Sequence, residues 1–227
     1  MGPLAGATFV NRLVMLTPAS DDQDHIPAIL WNDPRVPGRP AAYLHNGEDP
    51  LPWMMNGIRH LENAGAHAIV IPCNTAHLWF DAMQKQTPLP ILHIVDAVIA
   101  SLHRHGIRRG RIGLLATAAT LQSRLYQSRL HDHGYECVVP DTGDVANWCS
   151  IPIGLVKQNR LDAAHQAITP GIASLHAQGV DAIILGCTEL PVALPHADRA
   201  RWDIPIVDSI DALAQAAIAW YLGTMVA

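Results

Sequence analysis

Two of the four cysteines lie in sequence contexts that resemble each other. Residues 61–77 read LENAGAHAIVIPCNTAH and residues 175–190 read LHAQGVDAIILGCTEL, and in each stretch the cysteine follows a glycine by eight residues. A thiolate is both a base and a nucleophile. If Cys73 and Cys187 face one cleft, a thiolate on one side can remove a proton from a substrate carbon while the opposite thiol returns a proton to the other face. That chemistry is racemisation or epimerisation without a cofactor.

A single reactive cysteine explains this pattern less well. A nucleophilic cysteine paired with a histidine base needs one thiol in a special context, whereas here two are found. The other cysteines carry no comparable signal: Cys137 fits a buried strand, and Cys149 lies in a polar segment. No C-x-x-C pair is present, so a zinc site and a thioredoxin-like motif lack support. In a reducing cytosol all the cysteines are expected to be free thiols.

The residues around the two repeated cysteines predict the elements that position them. Gly65 and Gly179 suit the end of a helix, and the apolar runs after them are typical of parallel strands buried on both faces. Cys73 and Cys187 then lie at the carboxyl ends of strands, just before a helix, where open parallel sheets bind their ligands. Backbone N–H groups and the helix dipole at such a place stabilise an anion, either a thiolate or a substrate carboxylate.

The similarity extends beyond the cysteines. Residues 89–96 (LPILHIVD) resemble residues 204–208 (IPIVD), and the halves are offset by about 114 residues, far more than a solenoid repeat. This offset indicates a duplicated domain. The predicted fold class is therefore α/β, with two similar domains whose parallel-type sheets are flanked by helices. Aligning the halves sets residues 1–4 opposite residues 118–121, which follow the strand expected at 111–116, so we expect the first strand of domain 1 to be absent from the chain as given.

The remaining elements are assigned from hydrophobic periodicity and from turn residues. Strands are expected at 26–32 and 134–139, a proline-rich loop at 35–52, and an irregular loop at 141–152. Helices are expected at 8–16, 53–64, 75–84, from 117 to about 130, at 153–179 with a break near Pro170, and at 211–222.

Composition excludes several classes of protein. With 49% hydrophobic and 15% charged residues among 227, the chain is neither disordered nor of low complexity, and its length allows one large domain or two small ones. It has no uncharged apolar run of about 18 residues for a membrane span and no basic n-region of a secretory signal, which favours the cytoplasm. The net charge of −5 and the scattered basic residues argue against nucleic acid as a partner.

The thirteen histidines do not predict a metal site. His103 and His105 are two residues apart on an expected helix, as are His131 and His133, so neither pair shares a helix face. The chain contains no H-E-x-x-H motif.

Two motifs, PCNTAH at 72–77 and GCTEL at 186–190, resemble the paired cysteine signatures of the aspartate/glutamate racemase family. Shorter matches to that family are MGPLA at the start of the chain, DQDH at 22–25, GEDP at 47–50 and LLAT at 114–117. The resemblance covers nearly the whole chain. It implies two α/β domains related by pseudo-two-fold symmetry, a two-thiol mechanism without a cofactor, a small anionic amino-acid substrate and, as is usual in the family, a homodimer.

The resemblance also implies how the chain divides. In the family, the C-terminal helix returns to pack on the first domain, which makes that domain discontinuous. Carried over to this chain, domain 1 comprises residues 1–100 plus 207–227, and domain 2 comprises residues 101–206.

Individual residues correspond to roles in the family. Cys73 and Cys187 correspond to the acid–base pair. Asn74, Thr75 and Thr188 correspond to residues that bind the substrate α-carboxylate or steady the carbanion.

Four further positions complete the expected site. Arg39 and Lys157 correspond to groups that bind a side-chain carboxylate, for which a guanidinium is suited because it contacts both oxygens. Met1, in the first matched motif, belongs to the substrate-binding set, and Glu189 orients or deprotonates the second cysteine. Gly38 departs from the family, which commonly has Asp there. This departure keeps open a hydantoin racemase, a maleate isomerase or a decarboxylase on the same scaffold, and the absent strand keeps open a non-catalytic binding protein.

Overall fold

A four-stranded parallel sheet lies at the centre of the second half of the chain. The computed structural model describes residues 1–225. The strands of this sheet are β3 (Gly110–Ala116), β4 (Tyr135–Val138), β5 (Ala182–Gly186) and β6 (Ile206–Asp208). They lie in the order β4-β3-β5-β6, and all neighbours are parallel. β5 is buried along its whole length, which confirms the predicted apolar strand covered on both faces.

A smaller parallel sheet precedes the first repeated cysteine. Its strands are β1 (Ile69–Val70) and β2 (Ile91–Leu92), with Ile69 opposite Ile91. Cys73 follows the end of β1 by three residues, and Cys187 follows β5 directly. The predicted α/β class, with parallel sheets flanked by helices, is therefore confirmed. The pseudo-two-fold relation of the domains and the absent first strand stay predictions.

Helices cover the sheets. None of the described helices combines the length and apolar character needed to span a membrane. In chain order, those within residues 1–225 are α1 (Pro3–Leu16), α2 (Arg39–His45), α3 (Leu51–Asn63), α4 (Phe80–Gln84), α5 (Ile94–Arg104), α6 (Ala118–Gln122), α7 (Leu125–Asp132), α8 (Thr142–Val145), α9 (Ile151–Lys157), α10 (Leu161–Ala177), α11 (Leu190–Ala193), α12 (His196–Arg199) and α13 (Ser209–Met225).

The helix α13 returns to the first half of the chain. Its Asp211 accepts two hydrogen bonds from the Arg12 guanidinium of α1, at 2.6 and 3.0 Å. Apolar residues of α1, α5 and α13 belong to one buried core. The domain limits 1–100 plus 207–227 and 101–206 stay a prediction, of which the last two residues lie outside the described part of the chain.

Residues 26–32 do not form the predicted strand. Ile29, Leu30 and Trp31 are 54%, 45% and 39% exposed, and the Trp31 ring stacks on His60 with 4.2 Å between ring centres. The apolar residues suggested a strand, but a strand also requires a hydrogen-bonded neighbour. Within residues 1–225 this segment pairs with no other strand. The prediction was therefore wrong.

Segment 141–152, predicted as an irregular loop, is helical instead. It forms α8, one π-helical turn at Ala146–Ser150 and the start of α9. Cys149 lies in that turn and is completely buried, while Asn147 beside it is exposed. The polar residues that suggested a loop thus occupy the solvent side of short helices whose other side packs on the core.

Two helix boundaries also differ from the prediction. The helix expected from 117 to about 130 is interrupted between α6 and α7 at Arg124, which has a φ of 58°. The break expected near Pro170 is absent, because α10 runs through it and packs on the core on both sides. A proline removes one intrahelical hydrogen bond, and here the packing outweighs that loss. The interruption falls earlier, between α9 and α10, where Asn159 has a φ of 58°.

Candidate active site

Cys73 lies in a tight turn after β1. Its N–H donates to the carbonyl of Ile71 at 2.7 Å, and its side chain is buried. Two hydrogen bonds of His77 hold this turn in place. Its Nε2 accepts from the N–H of Ile94 at 3.2 Å, and its Nδ1 donates to the carbonyl of Cys73 at 3.0 Å. Burial lowers the pKa of His77 to about 4. The ring is therefore neutral near pH 7 and keeps this tautomer.

Cys187 lies directly after β5 and contacts a carboxylate. Its Sγ donates to Oε2 of Glu189 at 3.1 Å, and the hydroxyl of Thr188 donates to the same oxygen at 3.3 Å. Burial raises the pKa of Cys187 well above its usual value, and the negative charges of Glu189 and Cys73 raise it further. Cys187 is thus a thiol at neutral pH.

Three threonine hydroxyls meet between the two halves of the chain. Oγ1 of Thr75 lies 3.0 Å from Oγ1 of both Thr117 and Thr120, and the latter two are also 3.0 Å apart. Thr117 caps α6, since its Oγ1 accepts from the N–H of Thr120 at 3.2 Å. We call these three residues the threonine triangle. Each hydroxyl carries one hydrogen, so the three mutual contacts can use all three hydrogens, and one contact must be released before a hydroxyl can donate to an anion.

Asn74 is held from two sides. Its Oδ1 accepts from the phenol of Tyr126 at 2.5 Å, and its Nδ2 donates to Oγ of Ser209 at 3.0 Å. All three side chains are buried. A residue of α7 and the first residue of α13 therefore fix the side chain that follows the first cysteine.

Arg39 is the first residue of α2. Its Nη1 donates to the carbonyls of Val36 and Pro37, at 3.2 and 2.9 Å, which holds the guanidinium against the preceding loop. Its Nε is buried and has no hydrogen-bond partner within the described chain. A buried guanidinium nitrogen without an acceptor is suited to receive a carboxylate.

Lys157 ends α9 and is exposed. With Thr188 and Glu189 it lines a cavity of about 250 Å³, whose remaining walls are mainly apolar. The Met1 amino group lies near these residues: burial, and then the charge of Arg39, lower its pKa. The structure thus places Lys157, Thr188 and Glu189 on one cavity beside residues 2–5, with the Met1 amino group near them, while the roles of all the predicted residues stay predictions.

A known family pattern extends over almost the whole chain. The sequence model of the Asp/Glu/Hydantoin racemase family matches residues 1–217. The chain belongs to this family. It is 29% identical to the broad specificity amino-acid racemase RacX of Bacillus subtilis over 228 residues, which cover 98% of this chain and 95% of RacX.

Solved structures place this racemase-family chain in the same fold. It matches Picrophilus torridus aspartate racemase with a TM-score of 0.84 and 36% identity, over 98% of this chain and 90% of that one. An aspartate racemase homologue from Pyrococcus horikoshii gives a TM-score of 0.74 and 25% identity, over 96% and 94% of the two chains. A Francisella tularensis glutamate racemase, at 16% identity, shares the fold alone. Racemases are isomerases, so the chain is a member of an isomerase family.

Four side chains of this racemase-family site are not among the predicted residues: Thr117, Thr120, Tyr126 and Ser209. The T-x-x-T spacing at a helix start is a capping signal that could have identified the first two. Tyr126 and Ser209 carry no local signal, because their contacts to Asn74 join positions 52 and 135 residues apart.

A group of possible metal ligands lies near the start of α13 of the racemase-family fold. His196, Asp208 and Asp211 each bring one ligand atom within 4.8 Å of the others. Arginines already pair with both carboxylates: Arg12 contacts Asp211, and Nη1 of Arg199 lies 2.9 Å from Oδ2 of Asp208. The group is therefore an ion-pair network that joins α1, α12 and α13.

Proposed function

We propose that this protein is a cofactor-independent amino-acid racemase of the aspartate/glutamate type, in which Cys73 and Cys187 act as opposed base and acid. The observation that carries the proposal is the placement of the two thiols: Cys73 and Cys187 are both buried and free, and they follow the carboxyl ends of parallel strands, three residues after β1 and directly after β5. Open parallel sheets bind their ligands at that edge. Membership of the family and the similarity to named racemases support the same activity.

The reaction starts from one thiolate and one thiol. We assign the thiol role to Cys187, because burial raises its pKa, and the base role to Cys73 as the other member of the proposed pair. The Cys73 thiolate takes the Cα proton, the electron pair of the broken C–H bond stays on the substrate as a carbanion, and Cys187 delivers its Sγ proton to the opposite face. The product is the other enantiomer and the proton now resides on Cys73, so the reverse reaction uses the same groups with exchanged protonation states.

Donors beside the cysteines bind the substrate α-carboxylate. Asn74 offers an amide N–H and Thr75 a hydroxyl group, and the Thr188 hydroxyl can join them when its hydrogen turns from Oε2 of Glu189 to the substrate. The same donors stabilise the charge that develops when Cα loses its proton, which is when such contacts accelerate a reaction most.

The side chain of the substrate is bound by positively charged residues. Arg39 and Lys157 bind an acidic side chain from opposite halves of the chain, and Met1 completes the binding set. Glu189 orients the second thiol rather than deprotonating it, because a carboxylate that accepts the Sγ hydrogen favours the thiol over the thiolate.

Compartment and assembly are part of the proposal. Chemistry on two free thiols needs a reducing compartment, which is the cytoplasm. The protein acts as a homodimer, for which the exposed apolar residues Leu4, Val14 and Met15 of α1 offer contact surface. Analytical ultracentrifugation at micromolar concentration should give the dimer mass, and a monomer would contradict this part of the proposal.

The test of function is proton exchange at Cα. In heavy water the protein should introduce deuterium at Cα of L-aspartate or L-glutamate while forming the D enantiomer, as read by mass spectrometry and chiral chromatography. Cys73→Ala and Cys187→Ala should each abolish racemisation. Cys137→Ala is the matched control, since this half-buried thiol lies on β4 and is no part of the cleft. Full racemisation in either cleft variant would exclude the two-thiol mechanism.

A hydantoin racemase is the second candidate, and Gly38 favours it. This residue precedes Arg39 without contributing a side chain, so the polar group that the aspartate/glutamate pattern commonly has there is missing. A substrate panel of amino acids, hydantoins and dicarboxylates such as maleate separates the candidates. Turnover of hydantoins alone would favour this second function, isomerisation or decarboxylation of a dicarboxylate would favour the maleate isomerase or the decarboxylase, and binding without turnover would favour a non-catalytic protein.

A further inference from the structure

Tyr126 takes no part in the chemistry proposed above, yet it contacts a residue that does. Its ring is completely buried on α7, and its hydroxyl reaches Asn74, the residue after Cys73. A buried tyrosine hydroxyl usually finds a hydrogen-bond partner. Here that partner is the side chain of a predicted substrate-binding residue rather than a backbone carbonyl.

The distances around the Asn74 amide decide which way it faces. Tyr126 Oη lies 2.5 Å from one terminal atom of the amide, and Ser209 Oγ lies 3.0 Å from the other. O–H···O bonds span about 2.5–3.0 Å and N–H···O bonds about 2.7–3.2 Å. The short contact therefore belongs to the amide oxygen and the longer one to the nitrogen.

This orientation leaves one hydrogen of the Asn74 amide nitrogen without an acceptor among the described residues. The Asn74 nitrogen carries two hydrogens, and Ser209 accepts one of them. No acceptor within residues 1–225 takes the second. Burial, together with the negative charges of Cys187 and Asp208, raises the pKa of Tyr126 well above its usual value. The phenol therefore keeps its proton and remains a donor to the amide oxygen in the neutral range.

We propose that Tyr126 is a positioning residue of the racemase site: with Ser209 it sets the rotation of the Asn74 amide, so that an anionic ligand is offered an N–H and not an oxygen. The inference rests on the proposed function, because a donor at this place serves a substrate carboxylate or a developing carbanion. Without the phenol, the Asn74 amide can rotate by half a turn about its last side-chain bond. Its oxygen would then face the anion.

A double-mutant cycle tests whether Tyr126 acts through Asn74. Tyr126→Phe should lower kcat/KM for Cα exchange about tenfold, the factor that one lost hydrogen bond of ordinary strength produces. In an Asn74→Ala background the same substitution should have no further effect. An equal loss in both backgrounds would overturn the proposal, because Tyr126 would then act independently of Asn74.

Tyr135→Phe is the matched control. Tyr135 is also buried, and its phenol donates to the carbonyl of Ile107 at 2.8 Å, on β4 and not at the cleft. Removing its hydroxyl should leave kcat/KM for Cα exchange unchanged. A tenfold loss in Tyr135→Phe as well would show that the effect is general destabilisation, and the proposal would fail.

A spectroscopic readout separates this inference from the proposed function. The two Asn74 amide hydrogens give nitrogen-correlated NMR signals, identified by their absence in Asn74→Ala. Added L-aspartate should shift one of them in the wild type and in Tyr135→Phe but not in Tyr126→Phe. Identical responses in the wild type and Tyr126→Phe would overturn the positioning role. A shift in the wild type without any Cα exchange would instead remove the racemase function and support positioning for binding alone.

Discussion

Oε2 of Glu189 lies 3.1 Å from Sγ of Cys187 and accepts its hydrogen. Cys73 has no carboxylate in hydrogen-bond contact with its sulfur within residues 1–225. The two thiols therefore have unequal surroundings, because burial and the charge of Glu189 both favour the thiol form of Cys187. In the proposed two-thiol mechanism, this inequality decides which sulfur holds the proton before the substrate arrives.

Replacing Glu189 by Gln should lower the pKa of Cys187. The carboxylate charge raises that pKa, and an amide of the same shape removes the charge while keeping an acceptor oxygen. Alkylation of Cys187 by iodoacetamide, followed by mass spectrometry as a function of pH, should then begin at a lower pH than in the wild type. Glu136→Gln, on an exposed side chain of β4, should leave the curve in place. Superimposable curves for Glu189→Gln and the wild type would contradict the assignment.

Gly2→Ala should disturb the carboxylate beside the second cysteine. A Cβ at Gly2 would lie 2.5 Å from Oε1 of Glu189, whose other oxygen is held by Cys187, so the carboxylate must move. We expect kcat for racemisation to fall about tenfold, which corresponds to about 1.4 kcal/mol of transition-state stabilisation. Gly6→Ala is the matched control, because a Cβ there would have its nearest neighbour at 3.4 Å, an ordinary contact. Equal rates in the two variants would show that the Glu189 position does not matter for turnover.

Acid should destabilise the protein through its buried histidines. Burial lowers the pKa of His77 to about 4 and that of His93 to about 2, against about 6.5 in an unfolded chain. Between pH 6.5 and about 4, the unfolded chain therefore binds protons that the folded chain does not bind. The free energy of unfolding should fall with falling pH in this range, by up to about 1.4 kcal/mol per pH unit for each such histidine.

The variant His93→Asn isolates one of these histidines. Nδ1 of His93 accepts from the N–H of Val95 at 3.2 Å and caps α5, and asparagine is a good replacement cap. Urea unfolding at a series of pH values from 7 to 4.5 should give a shallower loss of stability than the wild type. His105→Asn, at an exposed position after α5, should keep the wild-type slope. A slope in His93→Asn equal to that of the wild type would refute the linkage.

Arg199→Ala should cost more stability than the loss of a surface ion pair. Nη1 of Arg199 lies 2.9 Å from Oδ2 of Asp208, and the side chains are only 9% and 5% exposed. Removing one partner leaves a buried charge uncompensated, which costs about 3–5 kcal/mol. Urea unfolding at pH 7 measures the change. Arg35→Ala is the comparison variant, because Arg35 is exposed and pairs with Asp33. Solvent screens that ion pair, so its loss should change the free energy of unfolding little.

Local patterns were sufficient to predict where the two cysteines lie. Gly65 and Gly179 both have positive φ, as expected at the end of a helix, and β5 follows in a continuous apolar run. Each of these signals is contained within about a dozen residues. The same locality explains the failure at residues 26–32, because their strand-like composition says nothing about whether a neighbouring strand is present to pair with them.

Local sequence patterns could not predict the side chains that support the candidate site. Tyr126 sits on a helix as an ordinary buried aromatic residue would, and only the folded chain shows that its hydroxyl meets Asn74. Likewise, the polar composition of segment 141–152 does not reveal that Cys149 packs into the core. Contacts between distant positions, rather than residue types, decide these features.

The long-range contact between Ser209 and Asn74 also bears on how the protein is made. A ribosome releases residue 74 well before residue 209, and nascent chains fold from the N-terminal side as they emerge. Until α13 has been synthesised, the Asn74 amide lacks its Ser209 acceptor, and α1 lacks the Arg12–Asp211 ion pair. The neighbours of the two thiols therefore gain their complete contacts only after α13 has emerged, so a ribosome-bound intermediate can carry both cysteines before these contacts have formed.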